Sequence, residues 1–235
     1  MPRYEIYTTE IMRGHTSYYI TAESEEEAFE KFQAGEYDDT PDGDIYDTEI
    51  IEIEIQRITS WTDVLNAARF TQRKSPKSGE PSVAWKKKII KAEHSPLRCL
   101  MFNIDFYDIP NYVSVHLVRH VHAQPFVSTS RPDIDGKQIP REEQKKTDPV
   151  NMRLFLNAQE IINISKVRLC NKAEKTTREI WRQVIKELGK FEPELAEACV
   201  PSCVYRGHCP EIKSCGWADG ELFSLKVNDY IKSLN

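Results

Sequence analysis

The sequence predicts an α+β fold on three observations. Short β-branched and aromatic runs open the chain, and a segment of alternating isoleucine and glutamate spans Glu49–Ile55. Beyond residue 60, nearly every stretch carries helix-cap signals and apolar stripes at helical spacing. Two units are expected: a small acidic ββαβ module over 1–58 and a helix-rich domain over 61–235, whose segment 199–217 is cysteine-rich. Charge divides at the same place. Residues 1–57 hold 16 acidic and 4 basic side chains, a net of −12, and the remainder holds 21 and 28, a net of +7. That excess suits anionic ligands but is too diffuse for a nucleic-acid groove, so small phosphorylated molecules suffice.

Composition narrows the class. A hydrophobic fraction of 40% and an aromatic fraction of 10% exclude a disordered chain. No run approaches the ~18 apolar residues of a membrane span, and MPRYEIYTTE lacks the apolar centre of a signal peptide. A soluble, cytoplasmic protein with mostly reduced cysteines is the expectation.

In the first module, Tyr4–Thr8 and Ser17–Thr21 read as a hairpin across Arg13-Gly14-His15. Ser24 caps a helix closed by Gly35, with Glu27 completing a capping box, and a turn-rich acidic loop over 36–44 follows. In the strand Glu49–Ile55, Ile51, Ile53 and Ile55 face one way and Glu52 and Glu54 the other. The second unit opens with a capping box, Ser60 and Asp63, on a helix whose face is Trp61, Val64, Leu65 and Ala68. A basic loop over 72–81, a helix from Ser82 to about Ala92, a turn at Pro96 and a strand over 100–106 come next. A helix is expected from Pro110, apolar nearly all round, through Tyr112, Val113, Val115, Leu117, Val118 and Val121. Asp133–Asp148 reads as a charged excursion. A long buried helix spans about Asn151–Cys170, and Asn171 with Glu174 boxes the start of another through Leu188.

The chemistry concentrates in His116–Arg131. His116, Arg119 and His120 stand within about one turn of an apolar helix, and Ser128, Thr129 and Ser130 lead into Arg131. A guanidinium in such a place meets an anion, either a neighbouring carboxylate or a bound phosphate, and the residues alone leave both open.

Four blocks in this order resemble the flavin-dependent thymidylate synthases. His116-Leu117-Val118-Arg119-His120, with Arg131 twelve residues after Arg119, is similar to the family signature Gln-x-x-Arg-His-Arg followed by Ser-x-Asn-Glu-x-Ser-x-Arg-Tyr. Asn66-Ala67-Ala68-Arg69-Phe70 resembles its early Ala-Ala-Arg helix, and His94-Ser95-Pro96-Leu97-Arg98 its His-x-Ser-Pro-x-Glu-His turn. Asn157-Ala158, Asn163, Arg168-Leu169, Ala173-Glu174 and Arg178 resemble its later helices, so the likeness covers about 61–190. The signature glutamine falls on His116, its third basic residue on Val121, its Asn-Glu pair on Phe126-Val127, its serine on Thr129 and its tyrosine on Pro132.

The resemblance implies a helix-rich α/β domain that binds FAD and dUMP at the subunit interfaces of a homotetramer. It implies methylenetetrahydrofolate as carbon donor, NADPH as reductant and dTMP as product. His94, Arg119, His120 and Asn163 would contact the flavin, and His116, Ser128, Ser130, Arg131 and Arg168 the nucleotide. Arg168 and Thr129 would carry the catalytic roles. A relative with an altered pyrimidine substrate, or a nucleotide-binding protein without activity, stays open beside it. Past the resemblance, Cys199, Cys203, Cys209 and Cys215 lie within seventeen residues, which suggests a structural zinc site and leaves reduced structural thiols or a disulfide open beside it, while Cys99 and Cys170 read as core.

Overall fold

In the computed structural model, residues 3–9, 15–21, 24, 27, 51–129, 131 and 140–234 are described. The chain divides into two compact units, 1–50 and 51–235. In the first, β1 (Arg3–Thr9) and β2 (His15–Thr21) pair antiparallel, Ile6 opposite Tyr18, as the hairpin reading requires. Glu27 N–H donates to Ser24 Oγ at 3.2 Å, the cap contact. The rest of the expected helix, the acidic loop over 36–44, Ser130 and the turn at Asp135-Gly136 lie outside the described residues.

The second unit is built on a four-stranded antiparallel sheet of order β3-β4-β6-β5. Its strands are β3 (Ile53–Arg57), β4 (Met101–Pro110), β5 (Gln124–Val127) and β6 (Pro149–Asn157). β3 corrects the expected boundary: read from sequence as the end of the acidic module, it pairs with β4, Ile55 opposite Ile104. Its isoleucines need an apolar layer to face, and β4 with the helices provides it. One face of the sheet buries Phe102, Ile104, Phe106, Met152, Leu154 and Leu156. The opposite face is polar: Arg153 grips both carboxylate oxygens of Asp105 at 2.6 Å, and Tyr107 donates to Glu54 at 3.1 Å.

A second correction concerns β6. Residues 151–157, expected as the start of a long helix, belong to the strand Pro149–Asn157 because burial alternates at Val150, Met152, Leu154 and Leu156. The helix begins only after Asn157, whose side chain accepts from Glu160 N–H at 3.0 Å.

The helices are α1 (Trp61–Thr71), α2 (Val83–Lys91), α3 (Asn111–Leu117), α4 (Ala158–Arg168), α5 (Lys175–Leu188), α6 (Pro193–Ala198), α7 (Ser202–Arg206) and α8 (Glu221–Ser233). The Ser60–Asp63 capping box is present on α1. On α5 the cap is Glu174 rather than Asn171: its carboxylate accepts from the Thr176 and Thr177 N–H groups at 3.0 and 2.8 Å. α5 seals the core through Ile180, Trp181, Val184 and Leu188, with Trp181 Nε1 donating to Ser165 Oγ on α4 at 2.9 Å. Glu192, fully buried, accepts from Trp61 Nε1 at 2.7 Å and from Arg57, which ties α1 and β3 to the end of α5. No helix among the described residues is long and apolar enough to cross a membrane.

Candidate functional site

The site forms where α3 ends against α4 and α5. α3 is shorter than its apolar run suggests, closing at Leu117. Only Val113, Ser114 and Leu117 are buried along it. Val115, Val118 and Val121 are exposed, Val121 by 86%, and Arg119 is exposed with them. The expectation of a fully buried helix fails here, because one helical stripe already satisfies the core and the other stripe has no layer above it.

Arg168, the last residue of α4, reaches back to this corner. Its Nε donates to His120 Nε2 at 3.1 Å and a terminal nitrogen donates to the His116 carbonyl. His120 Nε2 is therefore an acceptor, which makes its ring neutral with the proton on Nδ1. Burial, and then the Arg168 charge, push the His120 pKa down to about 4. Burial, and then the Arg119 charge, also lower Arg168. Among the described residues no carboxylate lies within 4.0 Å of either guanidinium. The ion-pair alternative left open by the sequence therefore has no partner among the described residues of this corner.

His116 is fixed by a relay. Thr177 Oγ donates to Glu174 Oε2 at 2.8 Å, so it accepts from His116 Nδ1 at 2.8 Å. A hydroxyl has one proton, and this order leaves His116 Nε2 free of that contact. Burial alone raises the Glu174 pKa, but the N–H groups of Thr177 and Thr176 outweigh it and hold the carboxylate below its usual range. The sequence marks Glu174 only as part of a helix cap. A hydroxyl in an otherwise apolar α5 stripe was the available signal.

The remaining site residues fall in two other places. Ser128 and Thr129 follow β5: Ser128 Oγ accepts from Asn151 N–H at 3.0 Å, and Thr129 Oγ accepts from Arg131 N–H at 3.2 Å. Arg131 is exposed beside them. Asn163 faces elsewhere, since five residues along α4 turn it about 140° from Arg168. It donates to Glu160 at 3.1 Å and accepts from Gln159 at 3.3 Å. His94 lies beside Glu93, whose backbone sits at φ 42 and whose carboxylate takes Lys166 at 2.6 Å and Gln159 at 2.5 Å. Burial raises Glu93, and the bonds from Lys166, Tyr205 and Gln159 more than reverse it. Lys166 also stacks 3.7 Å from the Tyr205 ring centre. His116, Arg119, His120 and Arg168 thus share one corner, and His94 and Asn163 stand at a different one.

The four cysteines expected to share a zinc ion carry free thiols, and among the described residues no three His, Cys, Asp or Glu side chains are grouped to hold a metal ion.

The fold defines an α+β scaffold, and solved structures share that scaffold. No family model and no curated protein matches the sequence. The flavin-dependent thymidylate synthase ThyX of Helicobacter pylori, complexed with FAD and dUMP, superposes with a TM-score of 0.52 at 15% identity, over 63% of this chain and 99% of that one. A second structure of that enzyme with FAD and dUMP gives 0.54 at 16%, over 64% and 99%. A UMP/dUMP methylase, PolB of Streptomyces cacaoi, bound with 5-Br dUMP, gives 0.49 at 12%, over 63% and 94%. The fold of this chain is that of the flavin-dependent thymidylate synthases.

Proposed function

We propose that this protein is a flavin-dependent enzyme that modifies a pyrimidine nucleotide, with dUMP methylated from methylenetetrahydrofolate at the expense of NADPH as its specific reaction. The observation that carries the reading is Arg168 under the charge of Arg119, with no carboxylate within 4.0 Å of either among the described residues, on a scaffold whose solved examples hold FAD and dUMP. Both of those ligands are phosphorylated, and a guanidinium fork matches a phosphate edge. The flavin, when bound, supplies hydride transfer. Arg168 uses part of its fork on His116 and His120, which fixes its plane, and leaves the rest for the anion. His120, held neutral, accepts from Arg168 without competing for the phosphate. Thr129 accepts from Arg131, so its hydroxyl proton is available to a nucleotide oxygen.

The exposed Val115, Val118, Val121, Phe126 and Val127 support the second part of the reading, a homo-oligomer. Such a surface is covered by another copy in an enzyme that assembles its sites between subunits. Phe126 and Val127 also stand where the family signature has polar residues, which makes an altered pyrimidine nucleotide the second choice of substrate after dUMP.

The purified chain is expected to be yellow, to gain melting temperature with FAD, and to convert dUMP to dTMP with methylenetetrahydrofolate and NADPH. A colourless chain that neither binds nor is stabilised by FAD overturns the flavoenzyme reading. Bound flavin and nucleotide without dTMP point to the altered substrate. A single-chain mass in light scattering removes the oligomer.

A further inference from the structure

The positive charge of the second unit is local, not diffuse. Residues 64–92 hold 8 basic and 1 acidic side chains, a net of +7, which is the whole excess of residues 58–235. These residues belong to α1, α2 and the loop between them. No acidic residue lies between Asp63 and Glu80, and Glu80 is taken by Lys86 at 2.8 Å. Among the described residues no carboxylate lies within 4.0 Å of Arg69, Arg73, Lys74 or Lys77.

The loop that carries these cations is pinned. At the end of α1 the chain reverses in a Schellman turn: Lys74 N–H donates to the Arg69 carbonyl and Arg73 N–H to the Phe70 carbonyl, both at 3.0 Å. It then runs back along α1 as an extended strap held at alternate residues. Arg69 Nε donates to the Ser75 carbonyl at 2.7 Å, and Thr62 Oγ1 donates to the Gly79 carbonyl at 3.1 Å. Between them the Asn66 amide pairs with the Lys77 N–H at 2.8 Å and with the Lys77 carbonyl at 3.1 Å. Positions 62, 66 and 69 share one stripe of the helix. The backbone of the strap is thus fixed, while every residue over 71–80 is exposed.

Two residues here do nothing for the fold. Arg73 occupies the left-handed position of the turn, φ 57, where glycine is favoured, so a guanidinium is kept there against the backbone. Phe70 is 83% exposed, an aromatic ring open to solvent beside it. The dipole of α1 favours a cation in its last turn, which accounts for Arg69. That field fades beyond the turn and leaves Lys77 and Phe70 unexplained.

Cations and an open ring on one rigid strap fit a polyanion whose units carry flat bases. We propose that the C-terminal end of α1 and the strap over 72–79 bind single-stranded nucleic acid, with a base stacked on Phe70 and backbone phosphates on Arg73, Lys74 and Lys77. A duplex fits less well, because its bases are stacked on one another and offer Phe70 no face. An acidic protein segment would answer the cations and leave the ring without a use. The whole chain carries −5, so a strand is drawn by this surface and not by net charge.

The test is fluorescence anisotropy of the full-length chain with labelled DNA and RNA strands of about 15 nucleotides. The strands lack terminal phosphates, so that the Arg119–Arg168 corner has no monoester to take. Binding of either strand is expected with a Kd of about 1–100 μM at physiological salt, and three phosphate contacts give a slope of about 2 for log Kd against log salt. Phe70→Ala should weaken binding about 5- to 150-fold. Lys77→Gln should weaken it and lower the salt slope by about 1. Arg73→Gly should weaken it while raising the melting temperature, since glycine relieves the left-handed backbone, and lost affinity in a more stable chain is not misfolding. No binding of either strand even at low salt overturns the proposal, as does a duplex of equal length that binds as tightly. Unchanged affinity in Phe70→Ala, Lys77→Gln or Arg73→Gly overturns the strap as the surface.

Discussion

Replacing Arg168 by alanine separates a positioned anion site from a merely packed corner. The substitution removes one bond to His120 and one to the His116 carbonyl, together with the fork meant for the ligand. The two internal acceptors are partly buried and regain water, so the expected loss of folding stability is about 1–2 kcal/mol. A charge-assisted bond to a phosphate is worth about 1.5–3 kcal/mol, a factor of about 10 to 150 in Kd. Calorimetry with dUMP and with FAD reads the second quantity, and urea unfolding reads the first. Arg168→Lys keeps the charge without the fork and is expected to recover only part of the affinity. His120 offers an internal check: burial is the larger cause of its depression, so its pKa rises in Arg168→Ala but stops short of the ordinary 6.5. Affinities for both ligands within about twofold of the parent, in a chain that still folds, would refute the assignment.

Three further outcomes are expected. His120 stays neutral in the fold to about pH 4 but protonates near 6.5 when unfolded, so stability is complete above 6.5 and falls as pH drops towards 4. The loss is on the order of 1–2 kcal/mol after allowance for solvent screening; His120→Gln should flatten that stretch of a urea-midpoint-against-pH curve, and an unchanged slope counts against it. Glu192→Ala strands the Trp61 N–H and leaves Arg57 with only the longer contact to Glu80 at 3.8 Å, and a loss of about 2–4 kcal/mol in chemical denaturation is expected, less when Arg57 is removed first. Thr177→Val keeps the shape of α5 but breaks the relay from Glu174 to His116; a cost of about 1–2 kcal/mol and a change in the His116 ring resonances are expected. Identical spectra would show that His116 is held by packing alone.

Much of the second unit was legible because its signals are local. Ser60 with Asp63, and Ser82 before Val83, announce α1 and α2 through side chains that bond three residues away. The failures come where two periods meet or where a neighbour decides. Val150, Met152, Leu154 and Leu156 alternate as a strand, but they run without a break into Ile161, Ile162 and Ile164, and the joined run reads as one helix. β3 was assigned to the wrong unit because its partner, β4, lies almost fifty residues on. At the candidate site, Arg119, His120 and Arg168 were singled out by their pattern, whereas the contact of His116 with Thr177 is made across 61 positions and has no local trace. Val118 and Val121 misled for the converse reason: hydropathy records the wish for a cover and not whether the same chain provides it.

Asn157 is at once the last residue of β6 and the cap of α4, so no linker separates the centre of the sheet from the helix that ends in Arg168. Ala158 N–H is also fixed to the Leu100 carbonyl at 2.8 Å, which anchors the joint on β4. The helix therefore has no slack to absorb a change in length. One residue inserted anywhere between Ala158 and Val167 would swing Arg168 by about 100° and advance it by about 1.5 Å, away from His116 and His120. The phase of α4 is a dimension of the candidate site itself.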